Sequence, residues 1–342
     1  MATPSATNRA NPERIFSLLS AFQQTAVLKT GIELDIFTAI GSEASTAAEI
    51  AKKSGASERG IRILCDNLTI MELLTKSDGR YSLTQESAIF LDRKSPTCLN
   101  SVIGFLSAQW HRKRIEDLTA VVRRGSSVAA EADNTRPQDE VWVSFAKSMV
   151  PLTIPAASFI AQLVGAAEGR PMKVLDIAAG HGNYGITIAK INRNAQIVAV
   201  DWPAVLAVAL ENAQAAGVSD RYTTRPGSAF ETELGSGYDF VLLTNIFHHF
   251  DPPACEKLMR RVHGALQPNG KAVTLEFVPN EDRVTPPVPA AFSLNMLVGT
   301  EAGDAYTLSE YEKMFANAGF GKPTLQQVPN SPQQVMVTGR SA

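Results

Sequence analysis

Residues 174–185 read VLDIAAGHGNYG, an apolar strand pattern that leads directly into a glycine-rich turn. The three glycines have the G-x-G-x-x-G spacing with which a βα turn brings its backbone close to a nucleotide. One acid, Asp176, precedes the turn, and a second, Asp201, ends the next apolar run 25 residues later. A carboxylate such as Asp201 can accept hydrogen bonds from both hydroxyls of a ribose. The turn therefore predicts an adenosine-containing ligand, and leaves open whether that ligand also carries phosphate.

Strand and helix patterns alternate from residue 173 onward. Strands are predicted at KVLDIA, QIVAVD, DFVLLTNI and KAVTLEFV, with helical stretches such as VLAVALENAQAAG between them. This alternation indicates βαβ units and a mostly parallel sheet. The last two short strands, within PTLQQVPNSPQQVMVTG, are predicted to pair antiparallel. The fold class expected for residues 173–342 is therefore α/β and Rossmann-like.

The first half of the chain is predicted to be mostly helical. Apolar residues recur every three or four positions from Pro12 onward, and Asp78-Gly79 marks a hairpin after two short helices. Helix, turn, helix and hairpin outline a winged-helix-like unit. We predict this helical domain over residues 12–125, a loop and helical connector over 126–172, and a homodimer formed through apolar N-terminal helices.

Charge and composition argue against several classes of protein. Residues 1–150 hold 18 Lys and Arg against 17 Asp and Glu, which is not the basic excess of a nucleic-acid binder. The three cysteines form no C-x-x-C pair and the five histidines have no metal-ligand spacing, so no metal is expected. The polar start and the lack of a long apolar run predict a cytoplasmic protein without a membrane span.

Three later segments narrow the class of ligand that the chain is expected to bind. RPGSAF, YDFVLLTNIFHHFD and LQPNGKAVTLEFVP follow the glycine turn in order. With them, the chain resembles the two-domain, small-molecule O-methyltransferases of plants and bacteria over about residues 12–340. The resemblance implies an N-terminal dimerisation domain and S-adenosylmethionine as co-substrate, without a metal. It also implies transfer of a methyl group to a hydroxyl of a small aromatic molecule.

The resemblance assigns residues to both ligands. It implies that the VLDIAAGHG turn holds the cofactor, that Asp201 binds its ribose, and that a later segment reads the adenine. Two residues of FAKSM would line the acceptor pocket. The residues assigned to the cofactor are Ala178, Gly180, Asp201, Trp202, Ser228, Ala229 and Phe230, and those assigned to the acceptor are Phe145 and Met149.

Two of these positions depart from the family's pattern. Ala178 stands where the family has a glycine, so we expect its φ to be negative. Ser228 stands where an aspartate is usual, so recognition of the adenine would rest on a hydroxyl rather than on a charged acceptor. Both changes weaken individual contacts without removing the site.

The catalytic residues are assigned on the same basis. A phenol titrates near ~10, so its methylation needs a base, and a histidine suits that task. The resemblance implies that His248 is the base and that Glu276, 28 residues later, fixes its tautomer. Because adjacent residues point in different directions, only one of His248 and His249 is expected to face the ligand. The family's second glutamate falls at Ala305, and whether His249 or Asp304 replaces it stays open.

Two other functions remain open from the sequence. The G-x-G-x-x-G turn is compatible with an NAD(P)-dependent oxidoreductase, although no Y-x-x-x-K pair accompanies it. The winged-helix-like region is compatible with a DNA-binding regulator, although its candidate recognition helix mixes acidic and basic residues. The identity of the acceptor, and oxygen rather than nitrogen or carbon as the methylated atom, do not follow from the residues themselves.

Overall fold

The computed structural model describes residues 11–128 and 139–341. Contacts divide the chain into two units, Met1–Ser107 and Ala108–Ala342. The domain bounds expected from the sequence, 12–125, 126–172 and 173–342, stay predictions.

The first unit is mainly helical. Thr46 and Ser57 begin its third and fourth helices by accepting backbone N–H bonds, as N-cap residues do. Asp78 and Gly79, both with positive φ, form the predicted two-residue hairpin turn. The elements are α1 Glu13–Glu33, α2 Ile36–Ile40, β1 Ser45–Thr46, α3 Ala47–Ser54, α4 Glu58–Ile70, β2 Leu74–Ser77, β3 Arg80–Leu83, α5 Gln85–Phe90 and α6 Asn100–Leu106.

The N-terminal part of α1 exposes a group of large apolar side chains. Ile15, Phe16, Leu18, Leu19 and Phe22 are each between 62 and 70% exposed within the chain. The C-terminal part of α1 instead packs on α4 and contributes Ile32 to the core of this unit. One helix thus carries both a buried end and an apolar end that the chain itself does not cover.

The second unit contains a seven-stranded sheet of order β6-β5-β4-β7-β8-β10-β9. The first five strands in this order are parallel, and the last pair, β9 and β10, is antiparallel, as predicted. β10 is also antiparallel to β8. The elements are α7 Gln109–Glu116, α8 Leu118–Arg124, α9 Asp139–Ser148, α10 Val150–Leu163, β4 Met172–Ile177, α11 Asn183–Ile191, β5 Ala195–Asp201, α12 Pro203–Ala215, β6 Tyr222–Pro226, β7 Tyr238–Thr244, α13 Pro252–Ala265, β8 Leu266–Glu276, α14 Pro287–Gly299, α15 Leu308–Asn317, β9 Thr324–Gln327 and β10 Gln334–Gly339.

Helices cover both faces of this sheet, so its strands bury alternate residues on each side. Val174 of β4 belongs to the core cluster shared with α10, α11 and α12, whereas Leu175 belongs to the cluster shared with α13 and α15. The predicted α/β, Rossmann-like fold class is confirmed.

The order of the strands reverses beside β4, the point at which such sheets bind ligands. The register pairs Ile177 of β4 with Val200 of β5 and with Leu243 of β7, so these strands end at one edge. The chain segments that follow β4, β5 and β7 therefore meet there. They carry the glycine turn and the two histidines, and Asp201 is the last residue of β5 itself.

Within residues 11–128 and 139–341, no single helix is long and apolar enough to cross a membrane. Glu140–Ser148 and Val150–Leu163 reach that length and composition only together, and they are bent by 67° at their junction.

Candidate active site

The glycine turn after β4 is built from residues with positive φ. Gly180 and Gly182 have φ of 57° and 73°, and Ala178 has φ of 55°. The expectation of a negative φ at Ala178 is therefore wrong. The chain must turn immediately after Ile177 for the Ala179 N–H to reach Val200 O at 3.2 Å, and this holds Ala178 in the left-handed region.

Gly182 is required by close packing as well as by its φ. A Cβ at this position would lie 2.5 Å from the hydroxyl oxygen of Tyr222. His181, beside it, is 4% exposed, and its Nδ1 accepts the N–H of Asn183 at 3.0 Å. Burial lowers the pKa of His181 to about 4, so the ring is neutral and can accept this bond at the start of α11.

Asp201 links the turn to the end of β5. Its Oδ2 accepts the N–H of Gly180 at 2.8 Å, and its Oδ1 accepts the N–H of Trp202 at 2.7 Å. Removal from water raises its pKa to about 6, although these two bonds oppose the shift. Each oxygen keeps a further lone pair, so the group can also accept the two hydroxyls of a ribose.

Asp176 lies below the same turn and is fully buried. Its Oδ2 accepts the N–H of Gly185 at 3.3 Å, whereas Oδ1 has no hydrogen-bond partner among residues 11–128 and 139–341. Burial raises its pKa to about 7, the Gly185 bond opposes this, and the nearby Asp201 carboxylate adds to it.

Ser228, Ala229 and Phe230 form a turn after β6. The N–H groups of Glu231 and Thr232 both bond Ser228 O, and Ser228 Oγ accepts the N–H of Phe230 at 3.2 Å. The hydroxyl hydrogen of Ser228 remains as a donor. The Phe230 ring meets Phe250 edge to face, with centroids 4.8 Å apart, which places this turn beside the segment that carries the histidines.

His248 and Glu276 are brought together at the ends of β7 and β8. His248 Nδ1 lies 2.6 Å from Glu276 Oε2, and Glu276 Oε1 accepts the N–H of Phe247 at 2.9 Å. Both side chains are buried, at 4% and 0% exposed. A fully buried carboxylate with both oxygens engaged holds Nδ1 protonated, which leaves Nε2 as the acceptor nitrogen of the ring.

His249 lies against His248, with ring centroids 4.3 Å apart. Residues 247–249 form a 3₁₀ turn after β7 rather than extended chain, so the expectation that the two side chains point apart is wrong. Burial, and secondarily His248, lowers the pKa of His249 well below its usual range. Its Nδ1 is buried and has no hydrogen-bond partner in the described part of the chain.

Aromatic rings surround this pair of histidines. Phe292 of α14 contacts His248 edge to face at 4.9 Å and stacks on Phe277 at 4.1 Å. The ring of Trp142 on α9 meets those of His249 and Phe145 edge to face, with ring centroids 5.6 and 5.8 Å apart. The candidate pocket residue Phe145 is thus one ring away from His249, and Met149 lies at the start of α10, four residues further on.

The segment before α15 does not supply a second acid to His248. Ala305 is 1% exposed, and the Asp304 carboxylate accepts from Arg283 Nη1 at 3.1 Å and from the Ala305 N–H at 2.8 Å. Gly303 crosses directly over the histidines, since a Cβ there would lie 2.1 Å from His248 O. The segment therefore packs on the backbone of the site, and Asp304 faces Arg283.

Several of these residues were not predicted from the sequence. Trp142 lies three positions before Phe145, and that helical spacing was a signal for it. His181 lies within the VLDIAAGHG turn assigned to the cofactor, and Phe292 lies within AAFSLNMLVG, an apolar stretch expected to line the pocket. Their individual contacts, and that of Gly303, were not predicted because they depend on how separate segments cross. Among the described residues, no group of three or more His, Cys, Asp and Glu side chains is placed to hold a metal ion.

Comparison with known proteins gives matches over both units. A family model described as an O-methyltransferase domain matches residues 163–321, and one described as an O-methyltransferase dimerisation domain matches residues 16–93. A crystal structure of a presumed O-methyltransferase from Nostoc punctiforme is 46% identical with a TM-score of 0.93, covering 96% of this chain and 99% of that one.

More distant matches extend over the same length. The 3-hydroxy-5-methyl-1-naphthoate 3-O-methyltransferase of Streptomyces sahachiroi is 29% identical over 315 residues, 90% of this chain and 89% of that protein. Human N-acetylserotonin methyltransferase, solved in complex with SAM, is 21% identical with a TM-score of 0.84, covering 99% of this chain and all of that one, and shows a shared fold.

Proposed function

The chain belongs to the S-adenosylmethionine-dependent O-methyltransferases of small molecules, and we propose that His248 is its general base and an aromatic hydroxyl its methyl acceptor. The observation that carries this proposal is the 2.6 Å contact between His248 Nδ1 and the buried Glu276 carboxylate. Its geometry resembles that of a base whose tautomer is fixed by an acid.

The proposed chemistry is a proton transfer to His248 coupled to methyl transfer. S-adenosylmethionine supplies a methyl group on a cationic sulfur. His248 Nε2 takes the proton of the acceptor hydroxyl as the new bond between oxygen and the methyl carbon forms and the bond from that carbon to sulfur breaks. Glu276 stabilises the positive charge that then develops on the imidazole ring.

The residues around the glycine turn fit the co-substrate. Asp201 would accept the ribose hydroxyls through the lone pairs left beside its two backbone bonds. Gly180 has no side chain, and a Cβ there would meet no atom closer than 4.0 Å, so a ligand can approach its backbone. Trp202, Ser228, Ala229 and Phe230 would enclose the adenine. Ala178 would contribute only its backbone.

The acceptor is proposed to be aromatic because rings line the approach to His248. Phe292 contacts His248, Trp142 contacts His249, and Phe145 contacts Trp142. We propose that Met149, four residues after Phe145, belongs to the same apolar wall. A planar phenolic ring can pack between such side chains while its hydroxyl meets Nε2.

The ligand is tested by calorimetric titration with S-adenosylhomocysteine and, separately, with NAD and NADH. We expect micromolar binding of S-adenosylhomocysteine alone, and then methyl transfer to members of a phenol panel. Binding of a dinucleotide without S-adenosylhomocysteine would overturn the assignment.

The base is tested by His248→Ala and Glu276→Gln in a methyl-transfer assay. Glutamine can keep its bond from Phe247, but its amide would donate to Nδ1 and force the proton onto Nε2, where it blocks the base. We expect turnover to fall by about 10²–10⁴ in both variants, with affinity for S-adenosylhomocysteine nearly unchanged. His263→Ala on α13 is the matched control and should keep full turnover. Full turnover in His248→Ala would remove the proposed role.

We also propose that the protein is a homodimer joined through the first unit, which matches the dimerisation-domain model. The exposed apolar end of α1 is the surface that would be covered. Sedimentation should show a dimer at micromolar concentration, and replacing Phe16 and Phe22 with serine should shift it toward monomer. A monomeric parent protein would refute this.

A further inference from the structure

Arg261 of α13 holds the turn that carries Ser228, Ala229 and Phe230. Its Nη1 donates a short hydrogen bond to Ala229 O, and its Nη2 donates to Thr232 O at 2.5 Å. One planar guanidinium thus bonds two carbonyls from the two ends of a single turn. Arginine is suited to this because its donors are rigidly spaced and always charged.

The region between the turn and α13 is partly packed and partly open, since Ala229 and Phe230 pack against the core cluster that includes α13. Residues 233–236 line an open cavity of about 380 Å³ together with Arg261, Gly264 and Ala265 of α13. Leu234 of this stretch is buried in the core cluster shared with α13, and Arg261 bonds the turn that precedes it. A second arginine, Arg225 of β6, bonds Glu233 O at 2.7 Å, one residue after the turn.

The turn also connects the two halves of the candidate site. Phe230 packs edge to face on Phe250, and the Phe250 carbonyl accepts from Tyr306. Phe250 follows the two histidines directly. A guanidinium that fixes Ala229 and Thr232 therefore fixes the backbone of the residues between them. It also fixes the point from which the Phe230 side chain extends.

We infer that Arg261 is a positioning residue for the nucleoside end of the co-substrate, acting through the carbonyls of Ala229 and Thr232. The inference rests on the proposed function, in which this turn encloses the adenine. Without the guanidinium, the turn samples arrangements that do not bind. If it holds the competent arrangement about a tenth of the time, the apparent dissociation constant rises about tenfold.

The test compares Arg261→Gln, Arg261→Lys and the control Arg225→Gln in the full-length protein. For Arg261→Gln we expect S-adenosylhomocysteine to bind about tenfold more weakly by calorimetry, and the KM for S-adenosylmethionine to rise similarly while kcat at saturation stays within about twofold. Arg261→Lys should resemble the glutamine variant, since an ammonium cannot replace the two-pronged bond. Arg225→Gln should bind like the parent protein.

Each other outcome has a definite meaning. Parent-like binding in Arg261→Gln, or full rescue by lysine, would overturn the inference. A fall in kcat with unchanged KM would also overturn it, because a merely structural role lowers the fraction of active protein. If Arg261→Gln does not fold by circular dichroism, the same criteria apply to Arg261→Lys. A parent protein that does not bind S-adenosylhomocysteine would instead refute the proposed function.

Discussion

Replacing the buried acid below the glycine turn should change how stability depends on pH. Asp176 is 0% exposed, and its pKa is raised to about 7 because burial disfavours the charged form. In the unfolded chain an aspartate titrates near ~3.9. Between these values the folded state binds more protons than the unfolded state. The stability that the protonated form contributes is therefore complete below about pH 4 and is lost as pH rises through about 7.

The size of this loss follows from the difference between the two pKa values. About three units at ~1.36 kcal/mol each give about 4 kcal/mol. Asp176→Asn stays neutral, and its side-chain oxygen can keep the bond from Gly185. A buried amide donor without a partner costs about 1–3 kcal/mol, but that cost does not vary with pH. Relative to the parent, Asp176→Asn should thus gain about 4 kcal/mol between about pH 4 and pH 8.

The assay is urea unfolding of parent and Asp176→Asn at a series of pH values. Ala178→Gly serves as the control, because it lies in the same turn and adds or removes no titrating group, so its difference from the parent should be constant. A constant difference for Asp176→Asn would refute the reasoning, since the carboxyl would then titrate alike in the folded and unfolded chains.

Three further substitutions test other features of the site. Gly303→Ala should lower turnover more than about tenfold, because its Cβ would displace the His248 backbone and small misplacements are costly in catalysis; Gly264→Ala, with open space around it, should leave turnover unchanged. Asp304→Asn should retain turnover within about threefold, since its carboxylate bonds away from the histidine, and loss of an exposed ion pair costs only about 0.2–1 kcal/mol in stability. Ala178→Gly should raise thermal stability by up to about 1 kcal/mol by relieving the left-handed alanine, against the higher entropy of unfolded glycine, and a lower melting temperature would count against this.

The sequence predicted the elements whose signals are local. Alternating apolar strands and helices predicted the parallel sheet, and Asp78-Gly79 predicted its hairpin, because period and turn chemistry are written in neighbouring residues. The spacing of His248 and Glu276 predicted two strand ends, and the register of β7 with β8 sets them side by side. Their roles stay predictions.

Other features could not be predicted because they depend on distant segments. The positive φ of Ala178 follows from the bond between Ala179 and β5, and the contact of Gly303 with His248 follows from the path of residues 300–305. The 3₁₀ turn that brings His248 and His249 together follows the predicted strand DFVLLTNI, and no local signal marked it. Local rules favoured the ordinary conformation in each case, and tertiary packing imposed another.

The histidine pair and its aromatic neighbours are attached to different parts of the molecule. This difference bears on how such a protein diversifies. His248 and Glu276 are fixed by the central strands, where β8 is paired on both sides, whereas Trp142 and Phe292 project from helices outside the sheet. Substitutions on α9 and α14 can reshape the walls without altering the contact between acid and imidazole. Under the proposed function, acceptor range and proton transfer can therefore evolve, or be engineered, as separate traits.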